Sequence, residues 1–353
     1  MAGESGRAGR TTDHGFRPGV GGWVRVGAAI AVPTLPGQSA YSDDMRRTFV
    51  LLSLFWAAAA GLARPNATVA LESSPVWVRP IGGPGWDKGT FGVQARDDGA
   101  TVVGGTEGFT APNGQVVPEG AFVTWYNSRG KFEKVVSLPK FDPRQGRAAF
   151  RDDGSILLLT LVRTPAPTVY LVELAPDGNE VGRRPVAGPP DGDHTDDPAS
   201  VATGRDGSVL VAWTSSGRTR GRNGAFLARY RSDGRLAWRA KQRLGLFGTP
   251  GVALDSRGRA YGASGGTIEA YSRDGRMRWR HEEPRASFAF FISVVVAPDG
   301  LVCAIGATGT GPDDLDTWLQ CYSVGGRLRF ERRLGGPGID LGTGIAFDPR
   351  GGI

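Results

Sequence analysis

The 353-residue sequence has few of the residues that metal sites and catalytic centres most often use. It contains 2 Cys and 3 His. These residues form no HxxxH or CxxC spacing, and no nucleophile elbow, glycine-rich phosphate loop or Ser/His/Asp set stands out. We therefore predict no catalytic residue, no bound cofactor and no enzymatic activity.

Lysine is also scarce, so the positive charge of the chain comes from arginine. The formal net charge is +7 at pH 7, and only 5 of the 42 basic residues are Lys. The arginines alternate with acidic residues along the sequence, which argues against a nucleic-acid-binding stripe, so we predict no nucleic-acid partner. The densest cluster, Arg218, Arg220 and Arg222, lies in a glycine-rich loop. A solvated loop is the favoured interpretation of this cluster, and an anion-binding site is the alternative.

The longest apolar run is shorter than a membrane span. It covers the 16 residues from 48 to 63, whereas a transmembrane helix needs about 20. The run follows two arginines and ends in small residues, which is the order of a secretory signal peptide over residues 45–63, cleaved after Ala63. We therefore predict an exported protein, periplasmic, on the outer surface or secreted, with no stable membrane span after cleavage. A membrane anchor is the alternative.

The position of this signal peptide sets the other predicted boundaries. Signal peptides lie at the true N-terminus, so residues 1–44 are interpreted either as a start codon assigned too early or as a disordered extension. Residues 64–75 are a predicted linker. The rest of the chain, residues 76–353, is predicted to form one repeat domain.

Glycine, in contrast, is abundant, and many of the 55 glycines recur at a regular interval. Two interleaved series of turn glycines have spacings of 41 to 56 residues. The segments between them are short and rich in Val, Leu, Tyr, Phe and Trp, as is typical of strands joined by tight turns. The first series is Gly99, Gly154, Gly207, Gly258, Gly300 and Gly351, and the second is Gly130, Gly178, Gly234, Gly275 and Gly326. Each unit is predicted to have four strands, A to D.

A longer motif recurs at five times this interval. Residues 82–90, GGPGWDKGT, are repeated as residues 335–343, GGPGIDLGT, 253 residues further on. The sequence therefore predicts an all-β protein, a β-propeller of four-stranded blades with five complete blades and a partial sixth. The sixth would contain a strand D at residues 76–81 and a strand A at residues 343–348. Its strands B and C are missing, which indicates a truncated parent of six or seven blades.

The repeat resembles that of the bacterial secreted β-propeller (SBBP-type) proteins. The segments GTGIAFD, residues 342–348, and FLARYRSDG, residues 226–234, carry the resemblance best. The shorter unit at residues 258–279 is more similar to the quinoprotein (PQQ-like) propeller repeat. That similarity implies a quinone-dependent dehydrogenase, yet such enzymes typically close eight blades and many have a vicinal cysteine pair, which this sequence lacks. The resemblance implies a fold and says little about activity.

The two cysteines are predicted to face each other in blade five. Cys303 lies in the predicted strand B and Cys321 in the predicted strand C. If the two strands pair there directly, Ile305 and Leu319 also pair, and all four side chains share the apolar face. Opposed residues at such a site can be near disulfide distance. A disulfide, which export favours, and two buried free thiols are the two alternatives.

The predicted binding face contains the B–C and D–A connections, which differ most between units. Its long segments are residues 106–119, 185–197, 215–224 and 307–317. One of them contains Asp191, Asp193 and Asp196, weak candidates for Ca²⁺ ligands, although solvated turns are the favoured interpretation.

Function is predicted from this face, because variable loops on a rigid scaffold usually carry it. We expect an exported scaffold that binds a protein or carbohydrate ligand through its B–C and D–A loops. One alternative is a quinone-dependent dehydrogenase-like enzyme, and another is a structural spacer in a larger envelope protein. The sequence does not predict the oligomeric state.

Overall fold

The computed structural model describes residues 87–96, 98–162, 168–186, 194–217, 223–242, 250–283, 288–347 and 352–353. These residues form 20 β-strands in five four-stranded antiparallel sheets, each with its strands in chain order. The predicted all-β propeller of four-stranded blades is confirmed by this topology. Within the described ranges, no helix has the length and hydropathy needed to cross a membrane.

In each blade, strands A to D follow one another along the chain. Blade one is β1 (Asp87–Arg96), β2 (Gly99–Thr110), β3 (Val116–Asn127) and β4 (Phe132–Leu138). Blade two is β5 (Phe141–Phe150), β6 (Ile156–Val162), β7 (Thr168–Leu174) and β8 (Glu180–Pro185). Blade three is β9 (His194–Thr203), β10 (Val209–Gly217), β11 (Gly224–Tyr230) and β12 (Leu236–Gln242). Blade four is β13 (Gly251–Leu254), β14 (Ala260–Ser264), β15 (Thr267–Tyr271) and β16 (Met277–Glu282). Blade five is β17 (Phe288–Val296), β18 (Val302–Gly311), β19 (Asp314–Tyr322) and β20 (Leu328–Leu334).

The predicted glycine turns join strand A to B and strand C to D. From Gly130 to Gly326, the glycines of both series have φ between 70° and 93°, a left-handed conformation that favours glycine. The turn at Gly207 shows the pattern: its N–H donates to Gly204 O at 2.9 Å, and the preceding Asp206 accepts the N–H of Ser208 at 3.1 Å. The sequence pattern of an acidic residue before glycine therefore closes the turn locally.

The contacts between neighbouring sheets show which strand of each blade lies nearest the centre of the propeller. Neighbouring sheets contact each other mainly through their A strands, β1 with β5, β5 with β9, β9 with β13 and β13 with β17. Among the described strands, no D strand makes extensive contacts with another sheet. The A strands therefore lie innermost and the D strands at the rim. The A–B and C–D turns share one side, the turn face, and the B–C and D–A connections share the opposite side, the loop face.

The hydrophobic core lies between consecutive blades, because both faces of each inner sheet are covered. Between blades four and five, for example, Trp318 is fully buried with Tyr261 and Ile268. Its ring stacks on that of Phe291 with centroids 4.4 Å apart. Similar clusters fill the other three junctions. The alternating apolar residues of each strand thus hold the blades together.

The predicted strand A of a sixth blade is not formed in residues 343–347. The residues just before them instead contact strand β19 of blade five. Leu315 N donates to Gly338 O at 3.0 Å, and Asp340 N donates to Leu315 O at 2.6 Å. In every blade, strand A pairs with strand B of the same sheet, and no described residue offers that partner here. The predicted strand D at residues 76–81, the signal peptide, the linker and the N-terminal extension lie outside the described residues.

Candidate functional site: the loop face

Two long hairpins project on the loop face, one from the first blade and one from the last. Strands β2 and β3 have 12 residues each, and β18 and β19 have 10 and 9, whereas β14 and β15 have 5 each. The predicted variable loops at residues 106–119 and 307–317 are therefore largely strand. Each ends in a short turn, so the loop face carries two ordered protrusions.

The hairpin of blade one has a small core of its own. Phe109 packs edge-to-face on Phe122, with ring centroids 5.2 Å apart, within a cluster that includes buried Val117. The turn at the tip is closed by Gly114 N, which donates to Ala111 O at 2.8 Å. Beside it, Val116 is 73% exposed. An apolar side chain is thus held in solvent at the end of a supported hairpin.

The hairpin of blade five has an acidic tip. Asp313 in the turn and Asp314 at the start of β19 are both exposed, and Thr310 Oγ1 donates to Asp314 Oδ2 at 3.4 Å. The carboxylates are not gathered into a metal-binding group: across the described parts of the chain, no three His, Cys, Asp or Glu residues are placed to hold an ion. The tips of the two hairpins therefore differ, because an exposed valine lies at the first and two exposed aspartates lie at the second.

Most of the other predicted site residues cannot be placed. Asp191, Asp193, Arg218, Arg220, Arg222 and Ala63 lie outside the described residues. Asp196 is placed, in strand β9 opposite Ser215 of β10. The end of the acidic segment is thus paired in a sheet, and the Ca²⁺ site stays a prediction because Asp191 and Asp193 lie outside the described residues.

The predicted register of the cysteines is confirmed. Cys303 pairs with Cys321 and Ile305 pairs with Leu319 between β18 and β19. The two cysteines are fully buried, have Cα atoms 4.1 Å apart and are joined in a disulfide. They lie on the face of the sheet opposite to Trp318, which packs on blade four. The bridge therefore joins the two strands that continue into the acidic hairpin.

A buried charge network on the turn face was not predicted from the sequence. The side chain of Arg229 in β11 is 3% exposed and lies 3.1 Å from Asp206 Oδ2. Its Nη2 also donates to Ser208 Oγ at 3.0 Å, and its Nη1 donates to Gly258 O in the next blade. Arg273, also from the next blade, lies 2.9 Å from the same Asp206 oxygen. An arginine within an apolar strand was the only sequence signal for this junction.

The network also controls the ionisation of its members. Burial of Asp206 opposes the charged form, but hydrogen bonds from Ser208 and the charges of Arg229 and Arg273 outweigh it, so the pKa of Asp206 is below its ordinary value. Burial lowers the pKa of Arg229, against the effect of Asp206. The charged forms therefore hold blades three and four together.

Blade four contains a second buried carboxylate. Glu269 is fully buried; it accepts the hydroxyl of Tyr271 and lies 2.6 Å from Arg280 Nε. Burial, followed by the contact with Glu269, raises the pKa of Tyr271. All the partners are satisfied, so the group is structural.

One serine lies in a sequence spacing that is typical of catalytic serines, but its position favours a structural role. Ser264 is the centre of Gly-x-Ser-x-Gly at residues 262–266, but it ends β14 in a two-stranded hairpin and is 1% exposed. Its hydroxyl and the side-chain amide of Gln242 are buried without hydrogen-bond partners within the described structure. A nucleophile elbow needs an exposed serine between a strand and a helix, which this hairpin does not provide.

The chain matches no protein-family model and no curated protein. Among solved structures, it is similar to the Pan2 WD40 domain of Neurospora crassa, with a TM-score of 0.45 and 12% identity over 69% of this chain and 66% of that chain, just under two thirds of its length. It is also similar to XC5397 of Xanthomonas campestris, a gluconolactonase, with a TM-score of 0.38 and 16% identity over 61% and 68% of the two chains. A luciferin-regenerating enzyme has a TM-score of 0.42 and 11% identity over 72% and 79%. The class of protein, a β-propeller, follows from the five sheets themselves.

Proposed function

We propose that the protein is an exported binding module whose loop face binds a protein or carbohydrate ligand. The observation that carries this proposal is the pair of long hairpins, β2–β3 and β18–β19, on a scaffold whose opposite face is closed by tight turns. Connections that vary on a rigid scaffold are where binding concentrates. The resemblance of the repeats to SBBP-type exported proteins and the predicted signal peptide support export.

Two exposed features of these hairpins suit a ligand. Val116 offers an apolar contact at the tip of the first hairpin. Asp313 and Asp314 offer acceptors for hydroxyl or amide donors at the tip of the second. A ligand that spans both would need apolar and hydrogen-bonding groups, as sugars and peptide segments have.

A glycan array and a panel of exported proteins test this proposal when they are probed with the wild-type chain and with Val116→Asp and Asp313→Ala/Asp314→Ala. We expect a ligand whose binding falls at least about tenfold in one of these variants, since an interface contact of about 1.4 kcal/mol corresponds to that factor. Val181→Asp is the matched control, because Val181 is also exposed, 64%, but lies at the rim of blade two.

Two results would contradict the proposal. One is the absence of any ligand on both panels, which would favour the spacer in a larger envelope protein. The other is a ligand whose binding responds equally to Val116→Asp and to the control, which would place the site elsewhere.

The proposal includes the absence of catalysis. The quinoprotein-like unit in blade four provides the test, which is quinone-dependent reduction of a redox dye with alcohol and sugar substrates. We expect no reduction above the rate without protein. Turnover that depends on added quinone would contradict the binding-module proposal and favour a quinone-dependent dehydrogenase.

A further inference from the structure

The C–D turns of blades three, four and five repeat a basic residue followed by an exposed aliphatic one. The pairs are Arg235-Leu236, Arg276-Met277 and Arg327-Leu328. The aliphatic side chains are 49%, 48% and 44% exposed, in that order. Each occupies the first position of its strand D, opposite a buried tyrosine of strand C. Exposed leucine and methionine beside arginine is thus a repeated feature and not a single accident.

The charge of these three turns differs from that of the corresponding turn of blade two. We define the basic turns as residues 231–237, 272–278 and 323–329, which contain 7 Arg and 2 Asp. The corresponding segment of blade two, residues 175–181, contains 2 acidic residues and no basic one, although it also ends in an exposed residue, Val181. These three turns therefore place seven arginines on one part of the turn face.

Contacts between blades hold the basic turns side by side. Trp238 Nε1 of blade three donates to Arg273 O at 3.1 Å, and Trp279 Nε1 of blade four donates to Val324 O at 3.0 Å. Each tryptophan thus joins its own blade to the turn of the next. The three turns form one continuous surface with fixed spacing. The indole rings are occupied in these contacts, so they are not free platforms for stacking nucleic-acid bases.

Most of the positive charge on this surface is accessible to a ligand. Arg235 and Arg276 have carboxylate partners, Asp233 at 3.9 Å and Asp274 at 3.2 Å, but all four side chains are at least half exposed, where ion pairs contribute little. Four other arginines have no carboxylate partner in the described part of the chain: Arg231, Arg278, Arg327 and Arg329.

We propose that the basic turns dock on an anionic lipid surface, with the three aliphatic side chains in the headgroup layer and the arginines on the lipid phosphates. Basic residues interleaved with aliphatic ones are the features that bind proteins peripherally to anionic bilayers. A sulfated polysaccharide or a nucleic acid would use the arginines and would gain nothing from Leu236, Met277 and Leu328. Because this surface is opposite the loop face, docking leaves the loop face accessible, and the proposal does not depend on the loop-face ligand.

Co-sedimentation with vesicles of the purified chain without its predicted signal peptide, residues 64–353, tests this proposal, because the apolar run at residues 48–63 would itself bind lipid. Vesicles contain phosphatidylcholine alone or phosphatidylcholine with phosphatidylglycerol, at low and high salt. We expect at least about tenfold stronger binding to the anionic vesicles, weakened by salt, as several arginines near a charged surface imply. Far-UV circular dichroism and a thermal melt confirm that each variant is folded.

Three variants separate the lipid from other polyanions. Arg235→Gln/Arg276→Gln/Arg327→Gln should lower vesicle binding at least about tenfold. Leu236→Ser/Met277→Ser/Leu328→Ser should lower vesicle binding about tenfold and leave retention on a heparin column unchanged, because only the bilayer rewards the aliphatic contacts. Val181→Ser, the counterpart in blade two, should change neither.

Several outcomes would overturn the proposal. Equal binding to the two kinds of vesicle would do so. So would a serine variant that binds anionic vesicles like the wild type, since the surface would then recognise charge alone, as for a polysaccharide or nucleic acid. A loss with Val181→Ser as large as that with the triple serine variant would show that the effect is not specific to the basic turns.

Discussion

The turn face repeats one geometry in nearly every blade, whereas the loop face changes from blade to blade. On the turn face, glycines with φ between 70° and 93° close the connections, and the charges of Asp206, Arg229 and Arg273 join two blades. On the loop face, hairpins range from the long strands β2 and β3 to the short β14 and β15. The turn face therefore keeps one local geometry from blade to blade, whereas the length of the loop-face connections varies on the same scaffold.

The largest effect is expected when a substitution breaks the buried charge network of the turn face. Arg229→Met should destabilise the protein by about 3 kcal/mol, because it removes the buried charge next to Asp206 and leaves Gly258 O without its donor. The measurement is chemical denaturation. The control is Asp206→Asn in the Arg229→Met background, which should cost less than Asp206→Asn alone. A loss below about 1 kcal/mol for Arg229→Met would show that solvent replaces its contacts.

The next effect concerns the disulfide at the base of a loop-face hairpin. Cys303→Ala/Cys321→Ala should lower the free energy of unfolding by about 2–3 kcal/mol, because the bridge closes a loop of 18 residues in the unfolded chain. Peptide mapping under non-reducing conditions should recover the linked pair. Two thiols that react with alkylating reagent after unfolding without reductant would contradict the bridge.

A smaller effect is expected when one turn glycine on each face is replaced by alanine. Gly207→Ala and Gly114→Ala both place alanine at positive φ, 73° and 83°, which costs about 1 kcal/mol. An added Cβ at Gly207 would lie 3.1 Å from the side chain of Ser232, whereas at Gly114 it would meet open space. We expect the larger loss at Gly207 in thermal melts. A larger loss at Gly114 would mean that the turn face accommodates the substitution better than the loop face does.

The smallest effect is the dependence of stability on pH. Because the pKa of Asp206 is lowered in the folded protein relative to its ordinary value of 3.8, its contribution is present above that value and is lost as the pH falls below it. The free energy of unfolding, measured between pH 6 and pH 3, should therefore fall less for Asp206→Asn than for the wild type. An identical pH dependence of both proteins would contradict the assigned shift.

Local sequence signals were sufficient for most of the fold. A turn glycine acts through its own φ and its neighbours, so the two glycine series predict the hairpins, and the alternation of apolar residues predicts which strand faces pack. The register of Cys303 with Cys321 followed from the same alternation. The hairpins of the loop face were less predictable, because residues 106–119 and 307–317 were expected as variable loops and are mostly strand.

The repeated nonapeptide shows why the rest could not be predicted. Residues 87–90 begin a strand that pairs with β2, whereas the same motif at residues 340–343 forms no strand. The two segments have similar local preferences. The first has a strand B, β2, as its partner, whereas no described residues offer such a strand to the second, and strand formation depends on that partner.

The sequence by itself determined the repeat and the strand order within each blade, and it predicted a register in which the two cysteines face each other, since these depend on residues close together in the chain or at a fixed period. The tertiary structure alone decided that Arg229 meets Asp206 and Arg273, and that the arginines of three separate turns form one surface. Those contacts join residues tens of positions apart, and only the packing of one blade on the next, through Trp238 and Trp279, brings them within reach.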